Sequence, residues 1–446
     1  MNRSRVTRRG VLKSSAALTA AIVLPAGLVR GFEANEKVNL GVIAVGGRGG
    51  ANLNGVSKEN IVAICDVDRR PLDSAKNRFP QARVYTDYRK LLDEAKDLDA
   101  VVVSTPDHMH APICLPAMEL GLHCYCEKPL TRTVEEARRM AELAAAKKLV
   151  THMGTPGRGG EDTVRTVEII RSGALGDIKE VHYWTNRPIW PQGFDRPEGE
   201  DPVPAYLDWD NWLGVAQPRP YREKWPEGHA VYQLPAEQRH GGIVYHPFVW
   251  RGWWDFGTGA LGDIAPHMWH SAFWGLELGY PDSVQVVEMS GPVTEMFPLS
   301  SVLMFTFPAK GARPAVDLFW YDGGKTPSPE LLGVAQPPSG GALLVGTKAS
   351  LGVGHKSVGD FPDVPKSLRR YDDMYAEWLR GIREGNPDQP SCPFSYAGPL
   401  TEAYLLGNLA LKIGSTIEWD AASRSVKNHP ELNQYLKPDY RQGWAV

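Results

Sequence analysis

The chain has 446 residues, with 49 Lys and Arg against 52 Asp and Glu and a formal charge of −3. A mildly acidic chain without a basic stripe argues against nucleic acid as a partner. The five cysteines (Cys65, Cys114, Cys124, Cys126 and Cys392) form no CxxC pair, which argues against a zinc or redox motif and predicts buried free thiols.

The first 13 residues carry five positive charges and no acid, and an apolar stretch runs from Ser14 to Val29. At 16 residues it is short for a membrane span and suited to a secretory h-region. Thr7-Arg8-Arg9-Gly10-Val11-Leu12-Lys13 resembles a bacterial twin-arginine signal, with Val11 where an aromatic is usual. Residues 1–34 are therefore expected to direct export, to the periplasm or beyond, and are set aside from the fold. Without them the charge is −8, and no other long apolar run predicts a membrane span.

From Lys37 to about Met153, strand-length apolar runs at 38–45, 61–66, 99–105, 122–126 and 149–153 alternate with amphipathic segments such as 134–148. This pattern predicts a doubly wound parallel sheet of Rossmann type over 35–157, covered by helices on both faces. After the first run, Ala44-Val45-Gly46-Gly47-Arg48-Gly49-Gly50 reads as a GxGxxG fingerprint with Ala44 in the first glycine position. Gly46, Gly47 and Arg48 then face a pyrophosphate at a helix N-terminus, and Gly49 permits tight helix–strand packing. Asp66, 20 residues after Gly46, stands where a carboxylate binds the adenosine ribose. That favours NAD, with NADP kept open by Arg69 and Arg70. Ser104, Thr105 and Pro106 end the third run, and their place at a strand end predicts contact with the same cofactor, as does His110 just beyond. Asp107 or His108 serves equally well as a local helix cap.

The run at 122–126 opens into Glu127-Lys128-Pro129. A lysine at such a strand end faces the ligand crevice, and a nicotinamide cation beside it lowers its pKa. Residues 158–446 have another texture. A Trp-rich insertion at about 186–257 is followed by strand-like segments at 283–290, 301–308 and 314–321 and a Gly/Pro-rich loop at 321–342. Helices are expected at about 367–383 and 396–413. The prediction is a second α/β domain on a largely antiparallel open sheet. Within Gly262-Asp263-Ile264-Ala265-Pro266-His267-Met268-Trp269-His270, Asp263 and His267 lie four apart and share a helix face. The carboxylate can orient and charge-support the imidazole. An Asp N-cap beside a core histidine is the plainer alternative. A metal at Asp263, His267 and His270 lacks a further ligand cluster, so none is expected.

Glu127-Lys128-Pro129 followed at a distance by Gly262-Asp263-x-x-x-His267 resembles the Gfo/Idh/MocA family, from Lys37 onward. The resemblance implies a Rossmann domain and a C-terminal substrate and oligomerisation domain. It also implies a cis Lys128–Pro129 bond, Glu127 and Lys128 beside the nicotinamide, and a homo-oligomer. It implies Lys128, Asp263 and His267 as a catalytic triad, with His267 exchanging the proton. A carbohydrate or polyol hydroxyl is then the expected substrate. His267 takes its proton, Lys128 polarises its oxygen, and hydride passes to the nicotinamide. The alternatives are a redox-neutral glycosidase, lyase or epimerase working through a transient keto-sugar, and a catalytically silent sugar binder, against which the intact Lys, Asp and His set argues. Arg158 is the expected substrate contact. Trp184 and the seven tryptophans from Trp190 to Trp254 either stack on sugar rings or pack the long loops, and Arg187, Arg196, His240 and His246 offer hydrogen bonds to a sugar. Because the twin-arginine route carries folded proteins, export also predicts an NAD that stays tightly bound.

Overall fold

A computed structural model of the chain describes residues 37–352, 357–358 and 363–444, so the expected export segment, 1–34, lies outside the described residues. The apolar runs form β1 (Asn39–Ile43), β2 (Asn60–Cys65), β4 (Ala100–Val103), β5 (His123–Glu127) and β6 (Thr151–Gly154). Between β2 and β4 lies β3 (Arg83–Tyr85), which the sequence did not signal because its three residues are not buried and form no apolar run. All pair in parallel in the order β3-β2-β1-β4-β5-β6. The order reverses between β1 and β4, and the crevice beyond their carboxyl ends is where such sheets bind ligands.

The helices on this sheet start at signals written in the sequence. In α1 (Gly47–Gly55) the N-cap is Gly46, which offers no side-chain cap. The next three are α2 (Arg69–Arg78), capped by Asp68, α3 (Tyr88–Glu94), capped by Asp87, and α4 (His110–Glu119). The next, α5 (Val134–Ala146), opens with a capping box in which Thr133 and Glu136 bond reciprocally.

After α6 (Glu161–Arg171) the chain builds a second sheet from β7 (Ile178–Trp184), β8 (Ser283–Met289), β9 (Ser301–Phe307), β10 (Val316–Tyr321), β11 (Gly341–Gly346), β12 (Ser350–Gly352), β13 (Ser357–Val358), β14 (Ile417–Asp420) and β15 (Ser425–Val426). The order is β13-β12-β11-β7-β10-β9-β8-β14-β15, antiparallel except for the β7–β10 pair. Three further helices are α7 (Gly259–Met268), α8 (Met374–Glu384), whose Tyr375, Trp378 and Leu379 pack with Leu40 and Val42 of β1, and α9 (Phe394–Ile413). The α/β class stands, and a shared core runs from Ile43 and Val103 through Leu261 to Leu405.

The helix expected from 367 starts instead at Met374. Asp373 caps it by accepting from Tyr375 N and Ala376 N, while Ser367 N and Leu368 N donate to the buried carboxylate of Glu168 and so leave the helical path. All five cysteines are free and buried. Among the described residues no helix is long and apolar enough to cross a membrane.

Candidate active site

Beyond β1 the chain turns sharply. Ala44 has φ +64°, the left-handed region where an alanine costs about 1 kcal/mol relative to glycine. At Gly49 a Cβ would lie 2.0 Å from the Ala44 carbonyl oxygen, so only glycine lets α1 sit on this turn. The free N–H groups of α1 then point into the crevice. Here Ala44, Gly46, Gly47, Arg48, Asp66, Ser104, Thr105 and Pro106 line a groove of about 580 Å³. Asp66, 9% exposed, accepts from Val45 N at 2.8 Å and Asp68 N at 2.9 Å. Burial raises its pKa, and these two bonds oppose the rise. Thr105 Oγ1 is buried in the groove wall without a partner. An open helix N-terminus, a carboxylate at the end of β2 and an unpartnered hydroxyl together fit a dinucleotide. Arg70, which left NADP open in the sequence, is forked onto Asp68 at 2.6 and 3.0 Å, so its charge is already matched.

Glu127, at the end of β5, accepts from Arg48 Nε at 2.8 Å and Asn52 Nδ2 at 3.0 Å, tying the fingerprint helix to the next strand end. Asn52 was not singled out from sequence. It is buried and also donates to Ser104 Oγ and accepts from Tyr375 Oη, 323 residues away. The Lys128–Pro129 bond is cis.

Lys128 Nζ donates to Asp263 Oδ1 at 2.6 Å and to the Asp263 carbonyl oxygen at 3.0 Å. The side chains of Lys128 and Asp263 are 13% and 10% exposed. The helix carrying Asp263 is fixed at its start. Its N-cap, Thr258, donates to the buried Asp107, and the Thr258 carbonyl accepts from Asn408. A third group meets the carboxylate: Arg251 Nε donates to Asp263 Oδ1 at 3.0 Å. Burial opposes ionisation of Asp263, but Lys128 and Arg251 outweigh it and hold the carboxyl below the usual range.

The expected pairing of Asp263 with His267 is electrostatic rather than a hydrogen bond: the carboxylate's charge opposes the fall in the imidazole pKa. The carboxylate is bonded to Lys128 and Arg251, and His267 Nδ1 instead faces Thr155 Oγ1 at 3.5 Å. His267 is exposed to solvent, yet its surroundings still crowd the ring. That crowding and the Lys128 ammonium lower its pKa from 6.5 to about 4. Solvent around the exposed ring moderates both causes without reversing them. The ring is therefore neutral at pH 7 and ready to accept a proton. If His267 is the base, the acidic limb of kcat/KM for oxidation falls below pH 6, and a limb at or above the ordinary histidine value of 6.5 removes it from that role.

The other candidate side chains are placed by their contacts within the chain. His110 lies behind the groove, buried, with Nδ1 2.8 Å from the Pro129 carbonyl and Nε2 2.9 Å from the Thr105 carbonyl. It braces the two turns that carry Thr105 and Lys128. The Arg158 guanidinium sits 4.7 Å from the Tyr396 ring and 5.2 Å from that of Trp274, with its Nε buried and without a hydrogen-bond partner. His270 is buried between the Pro266 carbonyl and the Tyr396 hydroxyl. Arg196 pairs with Glu295, His240 with the Ile189 carbonyl, and His246 with Asp68, so these groups are already partnered within the chain. Six of the eight tryptophans are buried; Trp209 and Trp254 are partly so. Leu207, Trp212, Trp225, Tyr245, Trp253 and Phe256 belong to a hydrophobic cluster of their own. The insertion thus packs against itself, and the face it turns to the groove was missed because folding, not spacing, brings it there.

Residues 38–155 match a family described as "Oxidoreductase family, NAD-binding Rossmann fold". A "Glycosyl hydrolase family 109 protein" of Shewanella sp. (strain W3-18-1) is 30% identical over 208 residues, 39% of this chain and 44% of the relative. An "Alpha-N-acetylgalactosaminidase" of Shewanella oneidensis is 33% identical over 158 residues, 32% of this chain and 34% of the relative. The match therefore spans less than half the length of these curated relatives. Among solved structures, the WlbA dehydrogenase from Bordetella pertussis, in complex with NADH and UDP-GlcNAcA, superposes with a TM-score of 0.57 over 86% of this chain and 99% of that one. At 16% identity this likeness concerns the fold.

Proposed function

On the premise that the NAD-binding portion of this chain, residues 38–155, belongs to the Gfo/Idh/MocA oxidoreductase family, we propose that the protein oxidises a hydroxyl of a sugar, glycoside or polyol. The observation that carries the reading is the 2.6 Å contact between Lys128 and Asp263, which joins a strand end of the NAD sheet to a helix of the second half. Bound NAD supplies the hydride acceptor, and the chain's own residues handle position, charge and proton. Two of the three Lys128 N–H donors are held by Asp263, which leaves the third for a substrate oxygen. Asp263 keeps the ammonium aimed. With His267 Nδ1 turned to Thr155, Nε2 is the atom that takes the hydroxyl proton. Lys128 steadies the negative charge that grows on the oxygen as the proton leaves.

A second reading is favoured by the relatives' names. Oxidation of a glycoside makes the neighbouring C–H acidic; elimination of the aglycone, addition of water and return of the hydride then cleave the bond with no net redox change. A lyase or epimerase would use the same first step. Export by the twin-arginine route, a tightly held NAD and a homo-oligomer complete the proposal.

The test is to supply a panel of glycosides and free sugars to the purified protein without added NAD, following absorbance at 340 nm and product release together. One equivalent of reduced cofactor per chain without bond cleavage supports net oxidation. Many cleavages per chain with no accumulated NADH select the redox-neutral cycle. A chain that binds no NAD(H) at any concentration and turns over nothing overturns both.

A further inference from the structure

We propose that residues 204–251 form a clasp over the Asp66 end of the groove and keep NAD in place between turnovers; this rests on the NAD-dependent reading above. The segment is laid against the end of β2 by backbone bonds: Arg69 N donates to Tyr206 O at 2.8 Å and Asp208 N donates to Val67 O at 2.9 Å. Between them Asp68 and Leu207 form an antiparallel bridge. Arg70, forked onto Asp68, also stacks its guanidinium 3.7 Å from the Tyr206 ring centre.

From there the chain raises a wall. Asp208 caps the short helix Trp209–Leu213, and this presents Asn211 and Trp212 to the groove. Trp212 is 3% exposed and stacks on Trp209 with centroids 4.8 Å apart. Its Nε1 donates to His246 Nδ1 at 3.3 Å. That assigns the remaining imidazole proton to Nε2, which donates to Asp68 Oδ2 at 3.0 Å. Asp68 caps the helix that follows β2 of the cofactor sheet and His246 belongs to the insertion, so this bond is the catch between them. Past it, Pro247, Phe248, Trp250 and Arg251 continue the wall. Phe248 holds φ +73°, a conformation that costs about 1–3 kcal/mol in a non-glycine residue and persists only where its surroundings fix it. Arg251 lies over the rings of Phe248 and Trp250 and bonds to Asp263. The segment is thus anchored at the ribose-binding carboxylate strand on one side and at the proposed catalytic carboxylate on the other. A dinucleotide beneath it leaves only when the catch opens.

The experiment uses the full chain as isolated from its producing cells. After extended dialysis, nucleotide released by denaturation is counted per chain, and NADH dissociation is followed by fluorescence on dilution. The wild-type chain is expected to retain close to one NAD(H). His246→Ala is expected to release NADH at least about tenfold faster, the loss of one hydrogen bond to a charged group. His246→Gln, which still donates to Asp68, should recover most of the retention, which a merely structural defect would not. A folded His246→Ala that holds NADH as long as the wild type overturns the clasp. Should His246→Ala not fold, amide hydrogen exchange on the wild type decides: backbone amides in 204–251 are more protected in the NAD-loaded chain than in the same chain stripped of its cofactor, or the clasp is wrong. A wild-type chain that binds NAD(H) but exchanges it as fast as His246→Ala sinks the clasp alone. One that binds none sinks the oxidoreductase reading beneath it.

Discussion

Replacing Lys128 with methionine lowers kcat by about a thousandfold on the carbohydrate that the glycoside panel identifies, while the affinity for NAD changes little. Methionine keeps the length and apolar stem of lysine and removes only the ammonium. In the wild type that ammonium lies 2.6 Å from Asp263 Oδ1 and keeps one N–H donor unengaged. It is enclosed, with 13% of its side chain exposed, so its charge acts on a substrate oxygen with little screening. Most of the groove that fits the dinucleotide is built by the turn after β1, Asp66 and Ser104 to Pro106, and for that reason NAD binding is expected to survive. Lys128→Arg is also expected to be poor, because a planar fork already matched to one carboxylate does not present a single N–H at the same point. Steady-state kinetics with NADH titration by fluorescence checks both halves of the expectation. A Lys128→Met protein with near-normal kcat shows that the proton and charge chemistry lies elsewhere.

The parts of this protein that were legible in the sequence are those where one short stretch carries the whole cause. The buried runs ending at Ile43, Cys65 and Val103 announce parallel strands, because a strand covered on both faces is apolar throughout. Gly49 is legible because no other residue fits against the Ala44 carbonyl. Where the cause is spread along the chain, the sequence was less telling. β3 is a minor edge strand with no apolar run, and the start of α8 depends on Glu168, about 200 residues upstream, capturing Ser367 and Leu368. His267 looked like the partner of Asp263 because helical spacing puts them on one face. Spacing does not register that Lys128 and Arg251 reach that carboxylate first. Arg251 itself drew no notice among the tryptophans around it. Its role appears only when the insertion folds back across the groove.

Replacing Asp263 with alanine destabilises the protein by about 3–5 kcal/mol at pH 7, the usual consequence of removing one partner from a buried ion pair. The reason is what remains. Lys128 and Arg251, with side chains 13% and 17% exposed, would face each other with the shared counter-charge gone. Asp263→Asn keeps the shape and some hydrogen bonding, so it should lose less stability than Asp263→Ala while losing activity almost as fully, since a neutral amide no longer holds the ammonium in place by charge. The pH dependence fixes the sign. The folded carboxyl is held below its unfolded value of 3.8, so its stabilising share is complete above that value and disappears as pH falls below it. The gap in unfolding free energy between wild type and Asp263→Asn should therefore be full at pH 7 and shrink once the pH drops below about 4. Denaturant titrations at several pH values measure this. If Asp263→Ala instead unfolds at the same denaturant concentration as the wild type, the two cations are not sharing a buried charge. The carboxylate could then not be what aims Lys128, and the double mutant of Lys128→Met with Asp263→Ala would show additive rather than coupled effects.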